Sequence, residues 1–483
     1  MGGGSMLFNS YLFLLVYLPI LTTGYFTANK INMTVGKLWL MIGCLFFYLY
    51  SGWNNTVILG ISIACNFFFA LMIIKIDKMR KWFLFIDISA NLIFLFYYKY
   101  FDFFYYSIFK TEYTSQISLP LGISFFTFQQ IMYVTAIYKR EIDRVNLTDY
   151  FIYILYFPKL IMGPLVEPGI LITQINDFNL KSVNWNNISY GLKLLSFGLF
   201  KKLVLADTFA KAVSWGFVNF ETSTSMDCFL VMLFYTFEIY FDFSGYSDMA
   251  IGISTLLNIK LPINFNSPYK ALSIRDFWKR WHMSLTSFLT KYIYIPLGGN
   301  QKGKVWTYIN TLIVFIVSGI WHGANWTFIL WGMIHGILSV FDRMFENKKR
   351  NLLETVRWMG TFFAVNLLWL LFRSDSITQW TGMLLKMFTF QNMAVSEGLL
   401  SSFVIPEANF LFRLLHLEAI NSMVRGFSLL IFVFGALGIC LIPENNYKTI
   451  TKNNWMTMIL SSAAFVWSFL CLSGESVFVY FNF

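Results

Sequence analysis

Charge is scarce in this sequence: 36 Lys and Arg with 25 Asp and Glu make up only 13% of its 483 residues. That is about half the ~25% of an ordinary soluble domain. A soluble chain of this length needs far more polar surface, so an array of soluble domains is excluded. Disorder is excluded from the opposite side, because 55 Phe, 26 Tyr and 16 Trp bury too readily to stay solvated. Histidine is rarer still, with four residues, and cysteine numbers five. Cys44, Cys65, Cys228, Cys440 and Cys471 fall mostly inside apolar runs, without a CxxC pair, and read as small core hydrophobes. No two His or Cys stand at ligand spacing, so no metal site is expected. A P-loop and a Gly-x-Ser-x-Gly elbow are both missing, which disfavours a nucleotide motor and a serine hydrolase. No internal repeat or low-complexity tract is visible, which weighs against a transporter built from inverted repeats.

What the sequence has in abundance is apolar length. At about 20 residues per crossing, the chain accommodates roughly eleven membrane spans. Candidate runs lie at 7–28, 35–52, 54–74, 82–105, 117–138, 149–166, 188–206, 227–254, 305–321, 325–342, 356–372, 426–443 and 455–482, the shorter ones admitting re-entrant or interfacial helices. The class is an all-α polytopic membrane protein. Met1 to Ser5, ahead of a second methionine at Met6, reads as an appended scar, leaving 6–483 as a single integral membrane domain.

The net charge of +11 does not indicate nucleic acid, because basic residues collect in short loops between apolar runs. Lys30 and Lys37 flank the first loop; Lys75, Lys78, Arg80 and Lys81 fill the third; Lys139, Arg140 and Arg144 fill the fifth. The second loop carries no charge. The positive-inside bias therefore puts odd loops in the cytoplasm and the N-terminus outside, with Arg343 to Arg357 a further cytoplasmic loop.

One stretch departs from the span pattern. Residues 262–304 carry Lys270, Arg275, Asp276, Lys279, Arg280, His282, Lys291, Lys302 and Lys304. Phe277, Trp281, Leu285, Phe288 and Tyr292 recur at spacings of four and three, predicting one amphipathic helix begun by Ser273 and Asp276 as a capping pair. It belongs in the cytoplasmic interface, where its basic face either meets lipid headgroups or holds an anionic donor.

Chemistry has few places to sit. Of His282, His322, His335 and His416, His322 ends an apolar run and is bracketed by Gly319 and Gly323, with Trp321 as a wall and Asn325 as a polar neighbour. A lone imidazole with a pKa near 6.5 is suited to general-base work on a hydroxyl. A hydroxyl so activated attacks a thioester, giving acyl transfer. Glu238 and Asp242 are one helical turn apart, with Asp248 beyond Gly245. Three readings fit them: a structural ion pair with the basic 270–304 segment, orientation of a histidine, or proton passage in a transporter.

These same residues carry a resemblance. The run 235–299, SGIWHGANWTFILWGMIHG at 318–336, LGISFFTFQQIMY at 121–133, FPKLIMGPLVEP at 157–168, FGLFKKLVLAD at 197–207 and LLWLLFRSDS at 367–376 together resemble the bacterial membrane-bound O-acyltransferase (MBOAT) family over about residues 90–390. The resemblance implies a ring of about eleven tilted helices around a funnel. It implies catalytic histidines at His322 and, in the RWH motif, His282, with Trp321, Asn325, Glu238, Asp242 and Asp248 in supporting positions. Arg275, Lys279, Arg280 and Lys291 are then expected to bind the phosphates of cytoplasmic acetyl-CoA, the donor substrate, with no bound cofactor. The wording after His322 is similar to the branch that O-acetylates surface polysaccharides such as alginate, cellulose or peptidoglycan, in the bacterial cytoplasmic membrane, alongside an extracytoplasmic acetyltransferase partner. D-alanyl transfer to teichoic acid from a carrier protein and a non-enzymatic flippase are the competing readings.

Overall fold

The computed structural model describes residues 6–111, 119–346, 352–404, 421–443, 445–450, 454–473 and 478. His416 and the Lys348–Arg350 cluster fall outside the described residues. Helix follows helix along the chain, with no strand among the described residues: α1 (Leu18–Ile31, entered through a π-helical turn, Leu12–Tyr17), α2 (Met33–Leu49), α3 (Trp53–Lys75), α4 (Arg80–Lys99), α5 (Phe101–Phe109), α6 (Ile123–Tyr138), α7 (Leu147–Leu155), α8 (Phe157–Leu160), α9 (Pro168–Asn176), α10 (Trp185–Phe200), α11 (Asp207–Val218), α12 (Ser225–Leu256), α13 (Ile274–Arg280), α14 (Met283–Leu289), α15 (Lys304–His322), α16 (Trp326–Met344), α17 (Glu354–Arg373), α18 (Ile377–Thr389), α19 (Glu397–Ser401), α20 (Asn421–Leu441), α21 (Asn446–Ile450) and α22 (Trp455–Leu470). Helices close their own backbone hydrogen bonds, which is what hydrocarbon demands of so apolar a chain. Short polar residues set their starts: Asn32, Asn146, Ser273, Asn325, Ser376 and Asn454 each accept a first-turn N–H.

Among the described residues, six helical segments are long and apolar enough to cross a membrane: 12–31, 53–75, 225–256, 304–322, 354–373 and 423–441. Met33–Leu49 and Trp455–Leu470 are apolar but shorter. The chain is a polytopic, all-helical membrane protein. It clusters into two compact units, one of Met1–Gly198, Tyr246–Ile263 and Asn453–Glu475, the other of Leu199–Gly245, Asn264–Lys452 and Ser476–Phe483.

In the first unit, the run expected to span at 149–166 does not. α7 has nine residues, about 14 Å at 1.5 Å per residue, half of a ~30 Å hydrocarbon layer. The chain then turns through Pro158, Gly163 and Pro164 and returns as α9. A side chain at Gly163 would meet the Pro158 carbonyl at 2.3 Å, so only glycine permits the turn. The two open ends are tied together: Lys37 Nζ donates to Asp149 Oδ1 at 2.9 Å and to Asn176 Oδ1, and Asn176 Nδ2 donates to Asp149 Oδ2 at 3.0 Å. This is a re-entrant hairpin, and its tip, 156–166, irregular but for the single turn of α8, is buried throughout, as irregular backbone at that depth requires. Lys159 at the tip is fully buried, donating to the Gln129 amide oxygen and lying 4.1 Å from the Tyr153 ring centroid.

In the second unit the element that positions the site is the antiparallel pair α15 and α16. A Cβ on Gly319 would meet the Phe328 carbonyl oxygen at 2.3 Å, and one on Gly332 the Phe315 carbonyl oxygen at 2.4 Å. Two glycines facing each other let the backbones touch, the small-residue contact that holds helices together where lipid removes the hydrophobic drive.

Candidate active site

His322 is the last residue of α15 and is buried. Three aromatic rings wall its imidazole edge-on: Trp321 at 4.9 Å, Trp331 of α16 at 5.2 Å and Phe372 of α17 at 5.1 Å between centroids. Trp321 is thus one of the three rings against the imidazole. Asn325 does something else. Its Oδ1 accepts from Thr327 N at 3.1 Å and its Nδ2 donates to the Asp375 carbonyl at 2.9 Å, so it caps α16 and pins the turn after His322.

The single amphipathic helix expected over 273–292 is two short ones. Ser273 does cap α13, accepting from Asp276 N at 3.1 Å. The helix then stops at Arg280, and His282 takes a left-handed conformation, φ 44° and ψ 53°. For a non-glycine residue that is strained, and it persists because the surroundings fix it. Asn264 is the fixture: its carbonyl accepts from Met283 N at 2.9 Å and its Oδ1 from Ser284 N at 3.2 Å. The aromatic periodicity survives the break, since Phe277, Trp281, Leu285 and Phe288 all remain buried.

The kink turns His282 inward. Its ring lies 4.7 Å from Phe243, edge-on, and 6.3 Å from Trp321, so both predicted histidines share Trp321 as a neighbour. Both imidazole nitrogens of His282 are buried without a hydrogen bond among the described residues. Burial pushes its pKa down from 6.5 to about 3, which keeps the ring neutral.

Of the acidic residues, Asp242 has a lysine partner on the π-helical turn before α11. Asp242 pairs with Lys202, at 2.7 Å, and the same ammonium meets Asp207 at 2.8 Å. Lys202 lies on a π-helical turn, Lys201–Ala206, between α10 and α11. Glu238, one turn from Asp242, keeps Oε2 buried with no hydrogen bond among the described residues. Asp248 is buried and belongs to the first unit.

A cavity of about 340 Å³ opens beside these helices in the second unit. Trp278, Leu285, Leu289, Val314 and Phe315 line it with apolar surface, and Arg275, Lys279 and Arg343 supply its cations. Ser318, one turn before His322, is in its wall. Of the four basic residues expected at a donor site, Arg275 and Lys279 line the cavity. Arg280 pairs with Asp276 at 2.9 Å, and Lys291 lies 5.5 Å from the Tyr292 ring centroid; neither is in the lining. Arg343 is the cation that residue-by-residue reading passed over, although the one-turn spacing from Ser339 marks it on the same helix face.

The second unit thus holds a buried histidine at the end of α15 and, one turn away at Ser318, the wall of an amphipathic cavity with cations in its lining. The chain belongs to the MBOAT, membrane-bound O-acyltransferase family, whose sequence pattern matches residues 63–374. It is similar to a peptidoglycan O-acetyltransferase of Helicobacter pylori, 36% identical over 99% of this chain and 98% of the relative. It is 34% identical to the protein named "probable alginate O-acetylase AlgI" of Pseudomonas syringae pv. tomato, over 81% of this chain and 77% of that one. A teichoic acid D-alanyltransferase of Streptococcus thermophilus is 29% identical over 48% of this chain and 59% of its own length. The chain is an O-acyltransferase.

Proposed function

We propose that this O-acyltransferase takes acetyl from acetyl-CoA at the cytoplasmic face of a bacterial cell membrane and passes it across for O-acetylation of a surface polysaccharide, with peptidoglycan the favoured acceptor. The observation that carries the reading is the cavity that runs from Arg275, Lys279 and Arg343 to Ser318, one turn short of His322. A thioester whose phosphates stay among the cations would lie along the apolar lining, which ends at Ser318, one turn from the imidazole. His322 takes the proton of the accepting hydroxyl, the hydroxyl oxygen forms an ester bond to the acetyl carbon, the carbon–sulfur bond breaks, and the proton leaves with the CoA thiol. His282, held neutral, supports the donor thioester.

Peptidoglycan is favoured over alginate because the similarity to the peptidoglycan relative runs nearly end to end, 99% and 98%, against 81% and 77%. D-alanyl transfer is disfavoured because similarity to the D-alanyltransferase covers only 48% of the chain. A second, extracytoplasmic acetyltransferase delivers the group to the sugar. The test uses sealed inverted membrane vesicles given radiolabelled acetyl-CoA outside, which is their cytoplasmic face. Label should reach ester linkage on a lumenal acceptor, with CoA left behind. Label confined to the added CoA would overturn the proposal.

A further inference from the structure

In the first unit, a cavity of about 320 Å³ lies between α2 and α1 with its π-helical entry turn, and its lining is wholly apolar. Tyr17 and Leu21 are buried and make its floor. Val16 and Ile20 on one side, Ile42 and Phe46 on the other, are exposed and make its rims. The 12–31 segment is long and apolar enough to cross a membrane. The rims therefore belong to the surface that meets hydrocarbon, and the groove is continuous with that surface.

The floor is closed. The two polar side-chain groups of the lining are tied to backbone: Tyr17 O–H donates to the Gly43 carbonyl at 2.9 Å, and Trp39 Nε1 to the Leu21 carbonyl at 3.1 Å. Behind the floor the Tyr17 ring packs 5.8 Å from Phe47 and 5.5 Å from Phe157, at the tip of the re-entrant hairpin. A buried water needs about two to four polar partners, and this lining offers none. An empty groove is no better, because walls that face a void forfeit their dispersion contacts. The occupant has to be hydrocarbon, and the bilayer supplies it.

Charge marks one end of the groove. Trp39, in the lining, lies against Gly24 of α1. Lys30 is six positions further along α1, about 9 Å at 1.5 Å per residue, and is exposed in the last helical turn. Lys37, across the loop, is already paired with Asp149. No acidic residue precedes Asp77 in the sequence, so this end of the hairpin is complementary to an anion.

We infer that the groove between α1 and α2 is a binding site for one acyl chain of an anionic phospholipid, with the headgroup phosphate at Lys30. The lipid is held, not acylated, and no bond is made or broken. The site is independent of the acyl donor and acceptor.

The test uses two photoreactive phospholipids with a diazirine in the acyl chain, a phosphatidylglycerol and a phosphatidylcholine, in nanodiscs holding the purified chain. Adducts are mapped by peptide mass spectrometry. Those from phosphatidylglycerol should gather on 12–21 and 39–46, well above the yield on α20, where Phe427, Leu430, Ile431 and Phe434 are comparably exposed on a crossing segment. Val16→Trp, which puts a ring in the groove, should lower the 39–46 adducts about tenfold, the scale of about two methylenes losing their burial, and spare those on α20. Should that variant not accumulate, Ile20→Phe gives the same reading. Lys30→Gln should erase the preference for phosphatidylglycerol while the acyl adducts persist. Even labelling of the α1–α2 pair and α20, or 39–46 adducts unchanged when the groove is filled, would reduce it to ordinary lipid contact and overturn the site. Equal labelling of the wild type by the two lipids would overturn the anionic headgroup at Lys30.

Discussion

His282 couples strain, burial and neutrality in one residue. Its backbone is left-handed, its ring is 1% exposed, and burial lowers its pKa to about 3. The consequence for stability has a definite sign. Between about pH 3 and 6.5 the unfolded chain binds a proton that the folded chain refuses, so folding weakens as pH falls through that window and is fully supported above it. The melting temperature of the detergent-solubilised protein should drop from pH 7 to pH 5, and His282→Gln should show a shallower drop. Parallel curves for the two proteins would show that His282 is not the buried neutral group described. The other telling residues are Lys202 and Arg343, which the sequence marks only as a motif residue and a loop charge, not as members of a site. Lys202 sits in an apolar run with its two carboxylate partners both further along the chain, five and forty positions away. Proximity of that kind exists only once the Lys201–Ala206 turn, α11 and α12 have folded together.

The helices themselves were readable where hydropathy and length agree. The runs expected at 54–74, 305–321 and 356–372 appear as 53–75, 304–322 and 354–373. Two elements were not. The 149–166 run has the composition of a span, and only the Lys37–Asp149–Asn176 knot reveals a re-entrant hairpin. The kink at His282 is hidden because aromatic spacing continues across it, while the cause, Asn264, lies eighteen positions upstream. The α15–α16 pair offers a test at this scale. Gly332→Val places a branched side chain against the Phe315 carbonyl, which a Cβ already meets at 2.4 Å. It should separate the two helices at the level of His322 and remove acyl transfer along with thermal stability. Gly360→Ala on α17, with nothing within 4 Å of its Cβ, should leave both intact. Equal activity in the two variants would deny that close α15–α16 packing holds the site.

For the whole molecule the question is sidedness. Basic loops orient the chain by the positive-inside bias, so Lys302 should face the cytoplasm and Asn54 the outside; both are exposed. In a chain whose five native cysteines are replaced by alanine, a single cysteine at 54 should react with an impermeant thiol reagent on intact cells. One at 302 should stay silent until the membrane is opened. Labelling at 302 from outside would put the donor cavity on the face where acetyl-CoA is absent. The composition makes a membrane protein inevitable and the motifs point to His322. The cavity that joins them is visible only after α13 to α16 have folded around it.

The account stands or falls on His322. Loss of a general base typically costs 10²–10⁴-fold in rate. Ester-linked acetate on purified peptidoglycan should therefore fall to background in cells carrying His322→Ala, with membrane levels of the protein matched to wild type. Wild-type acetylation in those cells would contradict the assignment of the reaction to this histidine.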